Sequence, residues 1–321
     1  MTPPRRPLGT TGLDVYPLCL GGNVFGWSID EAASFAVLDT YRELGGNFVD
    51  TANIYSGWIP GNRGGESETI IGKWLSSRGL RDEIVVATKV GMEAGDFTKG
   101  LRRDQIRAGV EGSLARLGVE HIDLYYAHED DAATPLRETM AAFDELIQEG
   151  LCGTIGASNY TAERLDAALA VSDQHQFVRY RVMQPWFNLI ERDKYEGPLE
   201  TRCAQERIGV LPYFSLARGF LTGKYRPGMS LGLSPRAGGV VESFMNPDGL
   251  RVLDAVDVVA RRRGATPAQV ALAWLMARPS VTAPIASATT PEQVREIMGA
   301  VDLSLDEEDI TLLDATAGEA A

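Results

Sequence analysis

Short apolar runs alternate with longer amphipathic segments along the chain. The apolar runs are rich in Val, Ile, Leu, Tyr and Thr, and the segments between them repeat apolar residues at i, i+3, i+4 and i+7, the spacing of one helix face. Strand candidates lie at 18–22, 48–52, 84–90, 122–128, 154–158, 181–184, 210–214 and 282–287. Eight strands that alternate with helices predict an α/β fold in which a parallel sheet closes into a (β/α)8 TIM barrel, since a doubly wound sheet usually has fewer strands.

Helix and loop signals complete this prediction. Asp30 and Thr161 precede helical segments as candidate N-caps, and the segments 66–77, 104–117 and 135–149 each stop at a glycine. Residues 6–17 predict a short N-terminal β-hairpin at the bottom of the barrel. Residues 216–246 are rich in Gly and Pro, so we expect a long functional or mobile loop there. Residues 1–321 predict a single domain with extra C-terminal helices.

Charge and cysteine usage narrow the function classes. The formal net charge is −13, which repels phosphate backbones and anionic lipid, so we expect no nucleic-acid and no membrane partner. The three cysteines form no CxxC pair and no zinc-ligand spacing, which argues against disulfides and a metal site. Without an apolar signal region or a long apolar span, a cytoplasmic protein is expected. The pattern does not indicate an oligomeric state.

Polar side chains gather where the predicted strands end, which is where such barrels place their active sites. Asp50 ends the second strand and Tyr55 follows it, Lys89 lies on the third strand, and His128 ends the fourth. Capping, solvation or packing explains any one of them alone, but four at one mouth favour a shared chemical role. Carbonyl reduction fits these groups, because a phenol donates a proton, an ammonium held by a carboxylate lowers the phenol pKa, and a neutral imidazole polarises the carbonyl.

The sequence resembles the aldo-keto reductase superfamily, which includes potassium-channel beta subunits, over nearly the whole chain. The stretches that carry the resemblance are FVDTANIYS (48–56), VVATKVG (85–91), IDLYYAHEDD (122–131), GTIGASNYT (153–161), MQPWFN (183–188), PYFSLARGFLTGKYR (212–226) and TPEQV (290–294). The resemblance implies an NAD(P)H-dependent oxidoreductase with Tyr55 as general acid/base, Lys89 and Asp50 as its tuning pair, and His128 as carbonyl orienter.

The resemblance also implies an extended dinucleotide along the barrel top, and the sequence has no GxGxxG motif of the Rossmann type. Ser158, Asn159 and Gln184 would bind the nicotinamide carboxamide, and Tyr213 would stack on the nicotinamide ring. The remaining implied cofactor contacts are Phe214, Ser215, Leu216, Arg218, Gly219, Leu221, Lys224, Ser287, Thr289 and Gln293. Ser158 and Asn159 are equally well explained as a cap for the next helix.

The stretch after the eighth strand departs from the family pattern. Ser287 takes the position of a glycine, and Thr289 takes that of the basic residue that binds the 2′-phosphate of NADP. Without this cation the preference for NADP should weaken, because charge-assisted contacts to phosphate are strong. Arg295 is nearby in the sequence as a candidate replacement. NADP and NAD therefore both stay open.

The substrate is expected to be a small carbonyl compound or alcohol, and two other functions compete with reduction. Candidate substrate contacts are Trp27, Trp58, Tyr126, Glu129 and Trp186, although Trp58 and Trp186 also suit structural packing. A Schiff-base lyase could use Lys89, but its lysine must be neutral, whereas Asp50 should keep it charged. A non-catalytic module that senses the cofactor is the other alternative.

Overall fold

Eight parallel strands form the centre of the computed structural model, which describes residues 5–228 and 237–316. In chain order the strands and helices are β1 (Arg6–Pro7), β2 (Asp14–Val15), β3 (Cys19–Gly21), α1 (Glu31–Glu43), β4 (Phe48–Asp50), α2 (Glu66–Arg78), β5 (Val85–Val90), α3 (Arg103–Leu117), β6 (Ile122–Ala127), α4 (Leu136–Gln148), β7 (Cys152–Ser158), α5 (Ala162–His175), β8 (Val182–Gln184), α6 (Pro198–Gln205), β9 (Gly209–Val210), α7 (Ala237–Phe244), α8 (Pro247–Arg263), α9 (Pro267–Met276), β10 (Ile285–Ala286), α10 (Pro291–Met298) and α11 (Glu307–Asp314). Short 3-10 helices cover Arg192–Lys194, Ala217–Thr222 and Gly299–Asp302.

The sheet runs in the order β10-β3-β4-β5-β6-β7-β8-β9, and every neighbouring pair is parallel. Its two ends also meet, because the amides of Thr282 and Ile285 donate to the carbonyls of Val210 and Pro212 at 2.9 and 2.8 Å. The predicted (β/α)8 barrel is therefore confirmed. The carboxyl ends of all eight strands face the same mouth.

The N-terminal hairpin closes the opposite end of the barrel. Strands β1 and β2 pair antiparallel, and Leu8 and Val15 are fully buried within the cluster of apolar side chains that fills the barrel interior. At the turn, Gly9 has a φ of +53°, and a Cβ there would lie 2.4 Å from the amide nitrogen of Gly209. Only glycine fits this close approach. The predicted hairpin at the barrel bottom is confirmed.

The predicted helix boundaries hold, whereas two predicted strands are too long. Asp30 caps α1 through the amide of Ala33 at 2.9 Å, and Thr161 caps α5 through the amide of Arg164 at 3.2 Å. Strand β9 stops at Val210, before Pro212, and β10 begins only at Ile285, after Pro284. Proline has no N–H to donate to a ladder, and this limits both strands.

The segment 216–246 is not the continuous loop that its composition predicts. It contains the 3-10 helix Ala217–Thr222 and helix α7, while residues 229–236 lie outside the described part of the chain. Val240 and Phe244 of α7 are buried, and the Phe244 ring lies 5.7 Å from the ring of Phe220. Burial of these apolar side chains accounts for a helix in spite of the glycine content.

The C-terminal helix α11 is held to α8 by a buried carboxylate. Asp309 is fully buried and accepts hydrogen bonds from Arg262, at 3.2 Å, and from Arg263.

Because charge-assisted hydrogen bonds each contribute roughly 1.5–3 kcal/mol and the arginines are partly exposed, we expect Asp309→Ala to lower the free energy of unfolding by about 2–3 kcal/mol. Chemical denaturation at neutral pH measures this loss. The exposed neighbour Glu308 provides the control, since Glu308→Ala should barely change the midpoint. Equal losses in the two variants would contradict the account.

Candidate active site

Lys89 lies at the centre of the polar side chains at the barrel mouth. Its side chain is fully buried, and Nζ donates to Asp50 Oδ2 at 2.6 Å, to the Thr51 carbonyl at 2.6 Å and to the Tyr55 hydroxyl at 2.9 Å. Three acceptors are the full complement of an ammonium group. Burial lowers the pKa of Lys89, and the Asp50 carboxylate opposes that shift. The geometry therefore favours a charged Lys89, which argues against the Schiff-base reading.

Tyr55 presents its hydroxyl to this ammonium. The hydroxyl accepts from Lys89 and lies 3.4 Å from Asp50 Oδ2, to which it donates. Burial, and then the Asp50 carboxylate, raise the pKa of Tyr55 well above its ordinary value. The expected net lowering of this pKa was wrong, because burial and the nearby negative charge outweigh the effect of the ammonium. Tyr55 is consequently a protonated phenol, a proton donor, throughout the neutral range.

His128 supplies a neutral imidazole beside Tyr55. Its ring centroid lies 6.1 Å from that of Tyr55. Burial, and then the positive charge of Lys89, hold the pKa of His128 well below its usual range. Its Nδ1 is buried and has no hydrogen-bond partner in the described part of the chain. A neutral imidazole carries one N–H, so His128 can donate one hydrogen bond to an oxygen atom at the mouth.

A second set of polar groups adjoins the first on β7, β8 and the segment after β9. The Tyr213 hydroxyl donates to Asn159 Oδ1 at 2.6 Å, and Asn159 Nδ2 donates to the His128 carbonyl at 2.9 Å. Ser158 Oγ donates to the Gln184 carbonyl at 2.9 Å, and Gln184 Nε2 donates to Asp50 Oδ1 at 2.8 Å. The residues expected to bind nicotinamide therefore share one hydrogen-bonded network with the residues expected to transfer the proton.

The segment 214–224 folds back next to this network. Phe214 and Arg218 have positive φ values of 55° and 56°. The Arg218 guanidinium lies 4.8 Å from the Phe214 ring centroid and 5.3 Å from that of Trp186. Ser215 is buried, with Oγ donating to the Pro212 carbonyl at 3.0 Å.

Other residues expected in this segment differ in accessibility. The Leu221 side chain is fully buried, Leu216 packs against the core, and the Lys224 side chain is exposed next to Gly219. The groups of this segment that a ligand could reach are therefore backbone atoms and the cationic side chains of Arg218 and Lys224, rather than apolar side chains.

The residues after β10 form a polar turn into α10. The backbone N–H and Oγ1 of Thr289 both donate to Gln293 Oε1, at 2.8 and 3.0 Å, and Ser287 Oγ donates to Asn23 Oδ1. Arg295 is exposed and lies 3.7 Å from Glu292. Asn23 follows β3 and was missed in the sequence, although a polar residue directly after a barrel strand is the signal that identified the others.

The proposed substrate contacts divide between the mouth and the interior. Trp58 is 44% exposed, and its ring lies edge-on to both Trp27 and Tyr55, at 5.7 and 6.0 Å. Glu129 forms an ion pair with Lys99. Tyr126 was placed wrongly, because it points into the barrel interior, where it is fully buried.

Trp186 packs beside Phe214 and donates to Glu191 Oε2 at 2.6 Å. These contacts favour structural packing, rather than substrate contact, as the role of Trp186.

The described residues also limit other site types. They contain no cluster of three or more His, Cys, Asp or Glu side chains arranged to hold a metal ion. No helix within the described ranges is long and apolar enough to cross a membrane. Among the described residues at the mouth, the buried cation Lys89 is paired with Asp50.

The fold and the site together define a class: a (β/α)8-barrel protein whose mouth holds a hydrogen-bonded carboxylate, ammonium and phenol, with a neutral imidazole beside the phenol. Residues 17–317 match the model of the Aldo/keto reductase family. The chain belongs to this family, whose members are nicotinamide-dependent oxidoreductases and related proteins.

Three relatives illustrate the range of the family. The uncharacterized oxidoreductase YrpG of Bacillus subtilis is 36% identical, over 95% of this chain and 93% of its own length. A putative voltage-gated potassium channel subunit beta of Schizosaccharomyces pombe is 34% identical, over 93% of this chain and 88% of its own. Norsolorinic acid reductase of Aspergillus flavus is 29% identical, over 95% of this chain and 78% of its own. The relatives thus include both reductases and proteins named as channel subunits.

Proposed function

We propose that this protein reduces aldehydes or ketones to alcohols, or catalyses the reverse reaction, with NAD(P)H as hydride donor and Tyr55 as general acid/base. The observation that carries the proposal is the contact of Lys89 Nζ with both Asp50 and the Tyr55 hydroxyl, beside the neutral His128. Tyr55 can supply a proton, and the charge of Lys89 can stabilise the phenolate that remains. These are the two contributions that a carbonyl reduction needs from the protein.

The proposed mechanism divides the reaction between protein and cofactor. A reduced nicotinamide held by these residues would supply the hydride for the carbonyl carbon. The His128 N–H orients the carbonyl oxygen, and the Tyr55 hydroxyl gives its proton to that oxygen. Lys89 stabilises the phenolate left on Tyr55 through the 2.9 Å hydrogen bond, and a proton from water restores the phenol. In the alcohol-oxidising direction the same atoms move in reverse.

The residues at the mouth fit a dinucleotide. Ser158, Asn159 and Gln184 offer hydroxyl and amide groups for the carboxamide, and the Tyr213 ring offers a face for the nicotinamide. Arg218 Nε is buried without a partner among the described residues, as expected of a group that awaits an anionic ligand. We propose that the remaining contacts come from the segment 214–224 and from Ser287, Thr289 and Gln293.

The cofactor preference should be sensitive to the charge at position 289. Thr289→Arg would add a cation where the family has one, and a charged hydrogen bond to phosphate contributes about 1.5–3 kcal/mol. We expect the ratio of NADH to NADPH dissociation constants to rise roughly tenfold or more, because the added contact acts on the 2′-phosphate alone. Fluorescence titration of the apo-protein measures both constants. Thr289→Gln controls for size, and an equal change in the two variants would contradict a charge effect.

Trp27 and Trp58 are the proposed contacts for the substrate, with Glu129 at the rim. Trp58 is half-exposed and directly adjoins the Tyr55 ring, so an apolar or aromatic part of a substrate can rest on it while its carbonyl meets the Tyr55 hydroxyl. The similarity to norsolorinic acid reductase supports a carbonyl compound as substrate.

The proposal is tested by following the absorbance of NADPH and NADH, in parallel, with 4-nitrobenzaldehyde. Consumption of either cofactor, dependent on both protein and aldehyde, is the expected result. The similarity to channel beta subunits favours one other function, a cofactor-sensing module. Tight cofactor binding without turnover of a panel of aldehydes and ketones would support that function, and absence of binding would overturn both.

A further inference from the structure

Gln184 contacts the proton-transfer groups from across the barrel. Its strand, β8, is not a neighbour of β4, yet Nε2 donates to Asp50 Oδ1 at 2.8 Å across a sequence separation of 134 residues. Lys89 binds the other oxygen of the same carboxylate, Oδ2, at 2.6 Å. An ionised carboxylate only accepts hydrogen bonds, so the nitrogen end of the Gln184 amide must face Asp50.

The position of Gln184 is itself fixed by β7. Ser158 and Gln184 are partners in the β7–β8 register, and Ser158 Oγ donates to the Gln184 carbonyl at 2.9 Å. The Gln184 side chain is buried, with 2% of the residue exposed. A buried amide on a strand anchored in this way has little freedom to turn away from the carboxylate.

The surroundings of Asp50 explain why this hydrogen bond matters. The carboxylate is buried and faces Lys89 and Tyr55. Burial, and then the negative charge of Asp50, raise the pKa of the Cys19 thiol and of the Tyr126 phenol, so both are neutral at physiological pH. Lys89 and, at a longer distance, Tyr55 donate to Oδ2, whereas Gln184 is the donor to Oδ1 among these groups. Without Gln184, one buried oxygen would lose its partner, which is costly.

We infer that Gln184 is a positioning residue for proton transfer: it fixes the carboxylate of Asp50 and thereby holds the Lys89 ammonium against the Tyr55 hydroxyl. This inference rests on the proposed function and gives Gln184 a role beyond binding the nicotinamide carboxamide. The bond from Nε2 to Asp50 leaves the amide oxygen as the atom with which Gln184 would accept from a carboxamide. One side chain would then connect cofactor binding with the geometry of the proton donor.

The first test compares Gln184→Met with Gln269→Met, a matched change outside the barrel mouth, where Gln269 Nε2 donates to the Glu296 carbonyl at 3.0 Å. Of the two glutamines, Gln184 is the one that contacts Asp50. At saturating cofactor we expect Gln184→Met to lower kcat about tenfold and to change the kcat–pH profile, because the Lys89 ammonium is no longer held against the Tyr55 hydroxyl. Gln269→Met should keep the kcat and the pH profile of wild type. A kcat–pH profile in Gln184→Met that matches wild type would overturn the inference.

The second test needs neither cofactor nor substrate. Gln184→Glu places a second carboxyl beside Asp50, and two buried carboxylates in contact resist ionisation of both. The introduced carboxyl therefore has a raised pKa in the folded state. Because of this shift, the variant becomes less stable relative to wild type as pH rises. We expect the thermal midpoint of apo Gln184→Glu to fall further below wild type at about pH 8 than at about pH 5.5.

An equal difference at the two pH values would show that the side chain at position 184 does not face the Asp50 carboxylate, and would overturn the inference. The two tests also separate this inference from the proposed function. If wild type fails to turn over any carbonyl compound, the proposed function fails, and the thermal comparison alone decides whether Gln184 holds Asp50.

Discussion

Replacing Tyr55 with Phe should reduce kcat for carbonyl reduction by roughly 10²–10⁴-fold, the usual contribution of a positioned general acid. The variant keeps the ring that packs edge-on against Trp58 and His128, but it lacks the hydroxyl that accepts from Lys89. The dissociation constant for the cofactor should change little, because no proposed cofactor contact is removed. Steady-state kinetics with 4-nitrobenzaldehyde and titration of the cofactor measure the two effects.

Tyr41→Phe provides the matched control. Tyr41 is also buried, and its hydroxyl donates to the carbonyls of Leu18 and Phe48. Its removal should therefore lower stability while kcat stays near that of wild type. Turnover by Tyr55→Phe at more than a tenth of the wild-type rate would show that another group donates the proton.

Lys89→Met should lower both the stability and the activity of the protein. The change leaves the Asp50 carboxylate buried without its cation, and breaking a buried ion pair from one side typically costs about 3–5 kcal/mol. It also removes the charge that stabilises the Tyr55 phenolate, so kcat should fall by a factor comparable with that of Tyr55→Phe. Chemical denaturation and kinetics of the same preparation measure the two losses.

The pH dependence of the Lys89→Met variant gives a further check. An unpaired buried carboxyl group takes up a proton more readily in the folded than in the unfolded state, so the stability deficit relative to wild type should shrink as pH falls. Adding Asp50→Asn to Lys89→Met should restore part of the lost stability without restoring turnover. A deficit that does not change with pH, or no gain in the double variant, would contradict a buried ion pair at this position.

The barrel and its central polar groups were predictable because strand ends carry a simple signal. Asp50, Lys89 and His128 interrupt or end apolar runs, and in a parallel barrel these ends meet at one mouth. The hairpin and the caps of α1 and α5 follow from local glycine, aspartate and threonine chemistry. These features depend on a few neighbouring residues, which a sequence pattern records.

Features that depend on burial were not predictable in the same way. The pKa of Tyr55 is raised rather than lowered, because the sequence shows the nearby lysine but not the extent of desolvation. Tyr126 is in register with Lys89 and also lies in the barrel interior, but it is fully buried there, and the sequence does not show how deep a side chain lies below the mouth. Helix α7 forms because its apolar side chains find partners on Phe220, which composition alone conceals.

The contact between Gln184 and Asp50 shows another kind of feature that the sequence alone does not predict. The two residues lie on strands that are not adjacent in the sheet, and no pattern along the chain relates them. Only closure of the barrel brings them within 2.8 Å. The position of each residue at a strand end could be read from the sequence. The hydrogen bond between a residue proposed to contact the cofactor and a residue proposed to support proton transfer could not.

The central claim is hydride transfer from nicotinamide to a carbonyl carbon, and isotope transfer tests it most directly. The protein would be incubated with 4-nitrobenzaldehyde and reduced cofactor that carries deuterium on one face or the other of the reacting nicotinamide carbon, and the alcohol would be analysed by mass spectrometry. We expect deuterium on the benzylic carbon with one of the two labelled cofactors and not with the other. An alcohol without deuterium from either cofactor, or no alcohol at all, would contradict the proposed reaction.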